Sequence, residues 1–235
     1  GNILICTWKP CSSTKGLYKN TILDKFKKNL EFFIFLIKGI FGYMPLRGLS
    51  EQLNYKYRNL IGFLKKIKIN AKKNFFNNIE MIGGDDVIVE IDESKFGKRK
   101  YNRGHRVEGQ WVLGIVERTE KRRIILIPVE RRDSKTLTDI IRKYVHPLSI
   151  ILTDKWKGYN ELKKYFKDHK TVNHSKNFKD PETGVHTNTI EGNWSPLKKM
   201  LPNKWKNSKN IWLGLFIAMK KRNNDIIDFI TQILH

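Results

Sequence analysis

Cysteine is nearly absent: the 235 residues contain only Cys6 and Cys11. This excludes a disulfide-stapled scaffold and fits a reducing compartment. The pair offers at most half of a zinc ribbon, because a closed site needs four ligands and no other Cys or His precedes His105. Long apolar runs are missing. Phe32 to Ile37 is closed by Glu31 and Lys38, and Ile211 to Met219 stops at Lys220-Lys221-Arg222. Both fall far below the ~18 residues of a membrane-spanning helix. The chain begins Gly1-Asn2, without Met or a secretory cleavage pattern, and is expected to start mid-protein. Acids are scarce: 23 Asp and Glu stand against 46 Lys and Arg, a formal charge of +23. Such an excess calls for a polyanionic partner, with DNA or RNA first and an anionic membrane surface as the rival.

What is present is organised around Val87-Ile88-Val89-Glu90-Ile91-Asp92. A β-branched run ending in a carboxylate, followed by a Gly-containing basic segment, predicts a buried central strand that delivers an acid to the end of a sheet. Leu148 to Asp154 repeats the pattern, and Lys155-Trp156-Lys157-Gly158-Tyr159 after it looks like a helix start. Two such strands place Asp92 and Asp154 beside one metal pair. A third acid, Glu191, lies in a stretch where Ile190, Trp194 and Leu197 make one apolar helical face. Each acid has a plainer reading. Asp92 can be a turn former with Glu90 competing on the same strand face, Asp154 a helix cap, and Glu191 a surface residue with Glu182 as competitor.

The segments from Val87 to Arg118, Ile150 to Tyr159 and His186 to Lys199 together resemble DDE transposases of the Merlin type and their bacterial insertion-sequence relatives. The resemblance spans roughly residues 87–202. It implies a ribonuclease-H-like core in which Asp92, Asp154 and Glu191 match the acidic triad, with His186 and Asn188 also matching near the site. Phosphodiester cleavage and strand transfer by such acids use Mg²⁺ or Mn²⁺, two ions, which take hard oxygen ligands. Full-length relatives often carry an N-terminal zinc ribbon. Cys6 and Cys11 are then expected to be free thiols on its remnant, with no zinc.

The expected fold is α/β: a mixed sheet of three antiparallel strands followed by parallel strands, flanked by helices, after a small helical domain. The predicted divisions are a remnant over 1–20, a helical DNA-binding domain over 21–78 and the catalytic domain over 79–235. Thr21 to Ile67 reads as helical, with Gly48-Leu49-Ser50 as a turn. The segment containing Lys56, Arg58, Lys65 and Lys66 is a candidate recognition helix of a helix-turn-helix, against a bundle with a basic exposed face. Ala71 to Asp86 reads as a linker ending in a Gly83-Gly84-Asp85-Asp86 turn. From Val87 the expected order is strand, basic excursion, strand, strand, helix, strand, helix, with strands over 110–116 and 123–129.

Candidate DNA contacts cluster near the acids. The excursion holds Lys95, Lys98, Arg99, Lys100, Arg103 and Arg106, and the stretch after Glu191 holds Lys198, Lys199, Lys204 and Lys206. Both suit phosphates beside a scissile bond, and a solvated tip is the alternative for the first. Trp205 is either a stacking surface for an unpaired base or core. The expected function is transposition: metal-dependent cleavage of terminal inverted repeats and joining to target DNA, by a homodimer or larger assembly away from membranes. An inactive DNA-binding descendant and a ribonuclease-H-like nuclease or resolvase are the alternatives. The location is the nucleus in a eukaryotic host and the nucleoid otherwise.

Overall fold

The computed structural model describes residues 3–5, 14–16, 30–75, 79–97, 109–172, 186–206 and 210–223. The chain divides into two compact units, Gly1–Phe76 with Ile226–His235, and Asn77–Asp225.

The first unit contains an antiparallel pair, β1 (Ile3–Ile5) and β2 (Thr14–Gly16), and three helices, α1 (Leu30–Phe41), α2 (Leu46–Gln52) and α3 (Tyr57–Phe75). Three-or-four spacing makes the apolar stripes: Phe33, Leu36, Ile37 and Ile40 on α1, and Leu60, Phe63, Leu64, Ile67 and Ala71 on α3, are buried. A Cβ on Gly39 would lie 2.3 Å from Leu49 Cδ2, so glycine lets α1 meet Leu49 of α2 closely. Two expectations change. Gly48-Leu49-Ser50 is inside α2, because buried Leu49 anchors a helical turn there and the chain turns instead through Leu53 and Asn54. Ala71 to Phe75 is not linker but the end of α3.

The second unit is built on a five-stranded mixed sheet of order β5-β4-β3-β6-β7. Its strands are β3 (Ile88–Phe96), β4 (Gln110–Glu117), β5 (Ile124–Val129), β6 (Ile150–Asp154) and β7 (Asp168–Val172). β3 pairs antiparallel with β4 and parallel with β6; β4 pairs antiparallel with β5, and β6 parallel with β7. Val89 and Ile91 of β3 are fully buried, as the β-branched run requires. Helix α4 (Ser134–Tyr144) follows β5, capped by Asp133, whose Oδ1 accepts from Thr136 N at 3.0 Å. Helices α5 (Asn188–Met200) and α6 (Ile211–Arg222) complete the unit. This mixed sheet flanked by helices is compatible with a ribonuclease-H-like core. β7 escapes a reading by apolar runs because only Val172 in it is buried, as befits an edge strand.

Helix α5 packs on β3 and β4, and α6 on β5, where Leu126 N donates to Met219 Sδ at 3.1 Å. Nine consecutive positions of α6, Ile211 to Met219, are buried. Among the described residues no helix is long and apolar enough to cross a membrane.

The start of β3 is held by one carboxylate. Glu117 Oε2 accepts from Gly83 N and from Arg123 Nη2, both at 3.0 Å, and Oε1 accepts from Thr119 Oγ1 and Arg123 Nε at 2.8 Å. Gly83, at φ +90°, leaves no space for a side chain, since a Cβ would lie 2.2 Å from Ser149 Oγ. Ile82 is buried and bridges to Val145, so this end of the expected linker belongs to the sheet unit. Burial opposes ionisation of Glu117, but Arg123 and the other donors hold its carboxyl below the ordinary value. Glu117→Gln is expected to cost about 2–4 kcal/mol at pH 7 by urea unfolding. The lost stabilisation is full above the unfolded value of 4.5 and disappears as pH falls through the lower native value, so the two proteins converge in acid. An unchanged gap at low pH would show that the ion pair is not its source.

Candidate active site

Alternation along β3 sends Glu90 and Asp92 to one face and Glu93 to the other. The parallel register with β6 runs Ile88 to Ile150, Val89 to Ile151 and Glu90 to Leu152. The same offset carried two residues further aligns Asp92 with Asp154, on strands separated by about 4.8 Å. Asp154 therefore ends β6, whereas Asp92 stands in the middle of β3. The strand expected to stop at this acid continues to Phe96, because its antiparallel pairing with β4 runs on to Gln110. Asp154 is turned by its own chain, Oδ1 accepting from Trp156 N at 3.0 Å. The chain then enters the helix expected there, which is a 3₁₀ helix, Lys157–Lys164.

Glu191 comes from the first turn of α5, where Thr187 Oγ1 donates to its Oε1 at 2.7 Å. The apolar face expected there is observed: Ile190, Trp194 and Leu197 are buried. That face seats the helix on the sheet, and polar bonds fix its register. Ile190 N donates to Glu90 Oε2 at 2.9 Å, and Trp194 Nε1 donates to Asp92 Oδ2 at 2.7 Å. The close approach needs Gly114, the cross-strand partner of Asp92. A Cβ at Gly114 would lie 2.5 Å from Trp194 Cη2 and 2.8 Å from Ile190 Cδ1.

Glu90, the sequence competitor of Asp92, is fully buried and paired with Arg118. Arg118 Nη2 also donates to His186 O at 2.7 Å and meets His186 Nδ1 at 2.8 Å. His186 thus belongs to a clamp on the start of α5, while Asn188 is the helix's first residue and its side chain is exposed.

Burial pushes the Asp92 carboxyl up; the Trp194 N–H and the Glu93 backbone pull it back, and the charges of Asp154 and Glu191 raise it again. Asp154 and Glu191 therefore both lie within electrostatic reach of Asp92. Sequence reasoning did not single out Glu93. Burial pushes it up to about 7, and its Oε1 has no hydrogen-bond partner among the described residues. Tyr159, whose hydroxyl is likewise buried without a partner, acts on it from the opposite face to α5 and is itself pushed well up by burial and by Glu93. The adjacent acids Asp92-Glu93 and the Tyr of Lys157-Gly158-Tyr159 were the available clues.

Of the predicted DNA contacts, Lys95 is exposed at the end of β3 and Lys199 on α5. Lys198 turns inward with Nζ 5.5 Å from the Phe96 ring centroid; burial lowers it while Asp92 opposes that shift. Lys206 Nζ donates to Asn203 Oδ1 at 3.0 Å. Lys98, Arg99, Lys100, Arg103, Arg106, Cys6, Cys11 and the Lys204 side chain lie outside the described residues. Lys56, Arg58, Lys65 and Lys66 are exposed at and beyond the start of α3. Trp205 is core, only 7% exposed, because it packs under α6 near Gly214. It offers no stacking face.

Among the described residues, no group of three or more His, Cys, Asp or Glu side chains is close enough to hold a metal ion. The donor chemistry nevertheless fits a hard divalent cation, since Asp92, Asp154 and Glu191 offer oxygen alone and a cation relieves the mutual repulsion felt at Asp92.

Gly114→Ala is expected to push α5 off the sheet and cost about 1–3 kcal/mol by urea unfolding. Trp194→Phe, which keeps most of the packing and deletes the N–H, should cost about 1–2 kcal/mol and raise the Asp92 carboxyl further in an NMR titration. An unshifted Asp92 in the second variant would show that the indole bond does not act on it.

Residues 80–218 match a family model described as the ISXO2-like transposase domain, more than half of the chain. No curated protein matches the sequence.

Proposed function

The chain belongs to the ISXO2-like transposase family, and from that premise we propose that it cuts the ends of a DNA element and joins them to target DNA through Asp92, Asp154 and Glu191. The observation that carries this reading is that the β3–β6 register brings Asp92 level with Asp154 at the end of β6, with Glu191 of α5 near enough that both acids add to the rise that burial imposes on Asp92. Like charges gathered at a strand end destabilise an empty site and suit one that takes up cations. Mg²⁺ or Mn²⁺, two ions, held by these acids would supply an activated oxygen nucleophile and charge relief at the leaving oxygen.

The chain's own groups position the acids. Trp194 Nε1 fixes one oxygen of Asp92, Trp156 N fixes one of Asp154, and Thr187 Oγ1 fixes one of Glu191. Glu90, Arg118 and His186 hold α5 in place beneath them. Lys198, within electrostatic reach of Asp92, supplies a positive charge beside the site. The exposed basic residues Arg58, Lys65 and Lys66 of α3, after the α2 turn, are the proposed recognition surface of a helix-turn-helix. Two ends must be held together, so the acting form is proposed to be a dimer or larger assembly. We propose, more finely, a kinship with the Merlin type, which the likeness in the three motifs supports.

The test is Mn²⁺ titration by calorimetry beside cleavage of DNA spanning the ends of the encoding element. Wild type should bind metal and cut. Asp92→Asn, Asp154→Asn and Glu191→Gln should each lose cleavage by at least about a thousandfold while still binding DNA. Variants that cut like wild type would remove the triad. A wild type that binds DNA and never cuts would leave an inactive binding protein, and preferential cutting of junctions or hybrids would make it a nuclease or resolvase.

A further inference from the structure

On the sheet face opposite α5, the same edge that presents the acids carries a ladder of rings and cations that the triad does not use. Lys95 and Trp111 are cross-strand partners on β3 and β4, with Lys95 Nζ 5.6 Å from the Trp111 ring centroid. Arg132, just past β5, sets its guanidinium carbon 3.6 Å above the same ring and 5.3 Å from the Trp156 ring centroid. Trp156, just past β6, stands edge-on to Tyr159 at 5.6 Å. Gly158 makes room for that indole, because a Cβ there would lie 2.2 Å from Trp156 Cζ3.

Three features separate this ladder from ordinary packing. Trp111 and Trp156 are only partly buried and Lys95 is exposed, so ring surface and charge face solvent. Arg132 makes no hydrogen bond or ion pair with any described residue, so its N–H donors are uncommitted within that set. The ladder also abuts the acids: Arg132 acts on the charge of Glu93, the neighbour of Asp92, and the backbone N–H of Trp156 is the donor that turns Asp154.

Solvent-facing indoles suit the flat face of a nucleobase, and a guanidinium between them suits the phosphate that joins two such bases. Within a duplex both faces of an internal base are covered by its stacked neighbours and a terminal pair leaves only one face open, so an unpaired nucleotide uses such a surface most fully. We propose that Lys95, Trp111, Arg132 and Trp156 form a seat for unpaired deoxynucleotides adjoining the phosphodiester cut by the triad. The seat rests on the transposase reading and adds to it a preference for frayed or single-stranded ends.

The experiment compares, by fluorescence anisotropy without divalent metal, binding of a blunt labelled duplex with binding of the same duplex carrying a short single-stranded extension. Wild type should hold the extended duplex at least about fivefold more tightly. Trp156→Ala and Arg132→Gln should each bring that ratio to about one, whereas Trp156→Phe, which retains a ring and serves as the folding control, should preserve most of it. With 5-iodouracil in the extension, photocross-links should map to Trp111 or Trp156. Equal affinity of wild type for the two duplexes, a ratio unchanged in both loss variants, or cross-links confined to other residues would overturn the seat. If the extension is ignored while the blunt duplex is bound, the seat alone fails. If no DNA of any form is bound, the transposase reading fails with it.

Discussion

How closely α5 lies on β3 and β4 decides the whole carboxyl end of the sheet. The helix carries Glu191 and the indole that bonds Asp92, and it reaches them only because the residue opposite Asp92 is Gly114. Packing at interior density leaves no slack at such a contact, so one methyl group there is a displacement of the helix. Burial of Glu90 stems from the same approach. Its carboxylate is removed from water but receives Arg118 and the Ile190 amide, which turns a costly group into the anchor of the helix start.

The two sheet faces divide the work. On the α5 face, Glu90, Asp92 and the indole make a tight polar seam in which each carboxylate has a donor. On the other face, Glu93 Oε1 and the Tyr159 hydroxyl are buried without hydrogen-bond partners among the described residues; burial raises both groups, Glu93 raises Tyr159 further, and Tyr159 opposes the rise of Glu93. Unsatisfied buried groups beside a candidate catalytic acid are where stability is commonly given up for function.

Legibility in the sequence tracked the strength of local patterning. The β-branched run of β3, the hairpin of β4 and β5, and the Ile190, Trp194 and Leu197 stripe are each written in consecutive residues, because burial on both faces or one face imposes its own period. β7 is an edge strand with one buried residue, so it leaves no such period. The supposed turn at Gly48 shows the converse error: glycine permits a turn but does not require one, and buried Leu49 beside it kept the helix going. Trp205 was ambiguous for a similar reason, since a large aromatic among lysines suits either a stacking surface or a core, and only its neighbours on α6 decide between them.

Residue order alone determined that Asp154 ends β6, and the 62 residues between Asp92 and Asp154 equal the offset by which β3 and β6 pair. That much is local chemistry, since an apolar run must be buried and a carboxylate at its end must come out at a sheet edge. Only the tertiary structure decided that Glu90 anchors a helix, that Gly114 admits Trp194 to Asp92, and that Glu93 confronts Tyr159. Those relations join residues about a hundred positions apart in the first two cases and more than sixty in the third. No periodicity encodes such distances, because they arise from the packing of whole elements against one another.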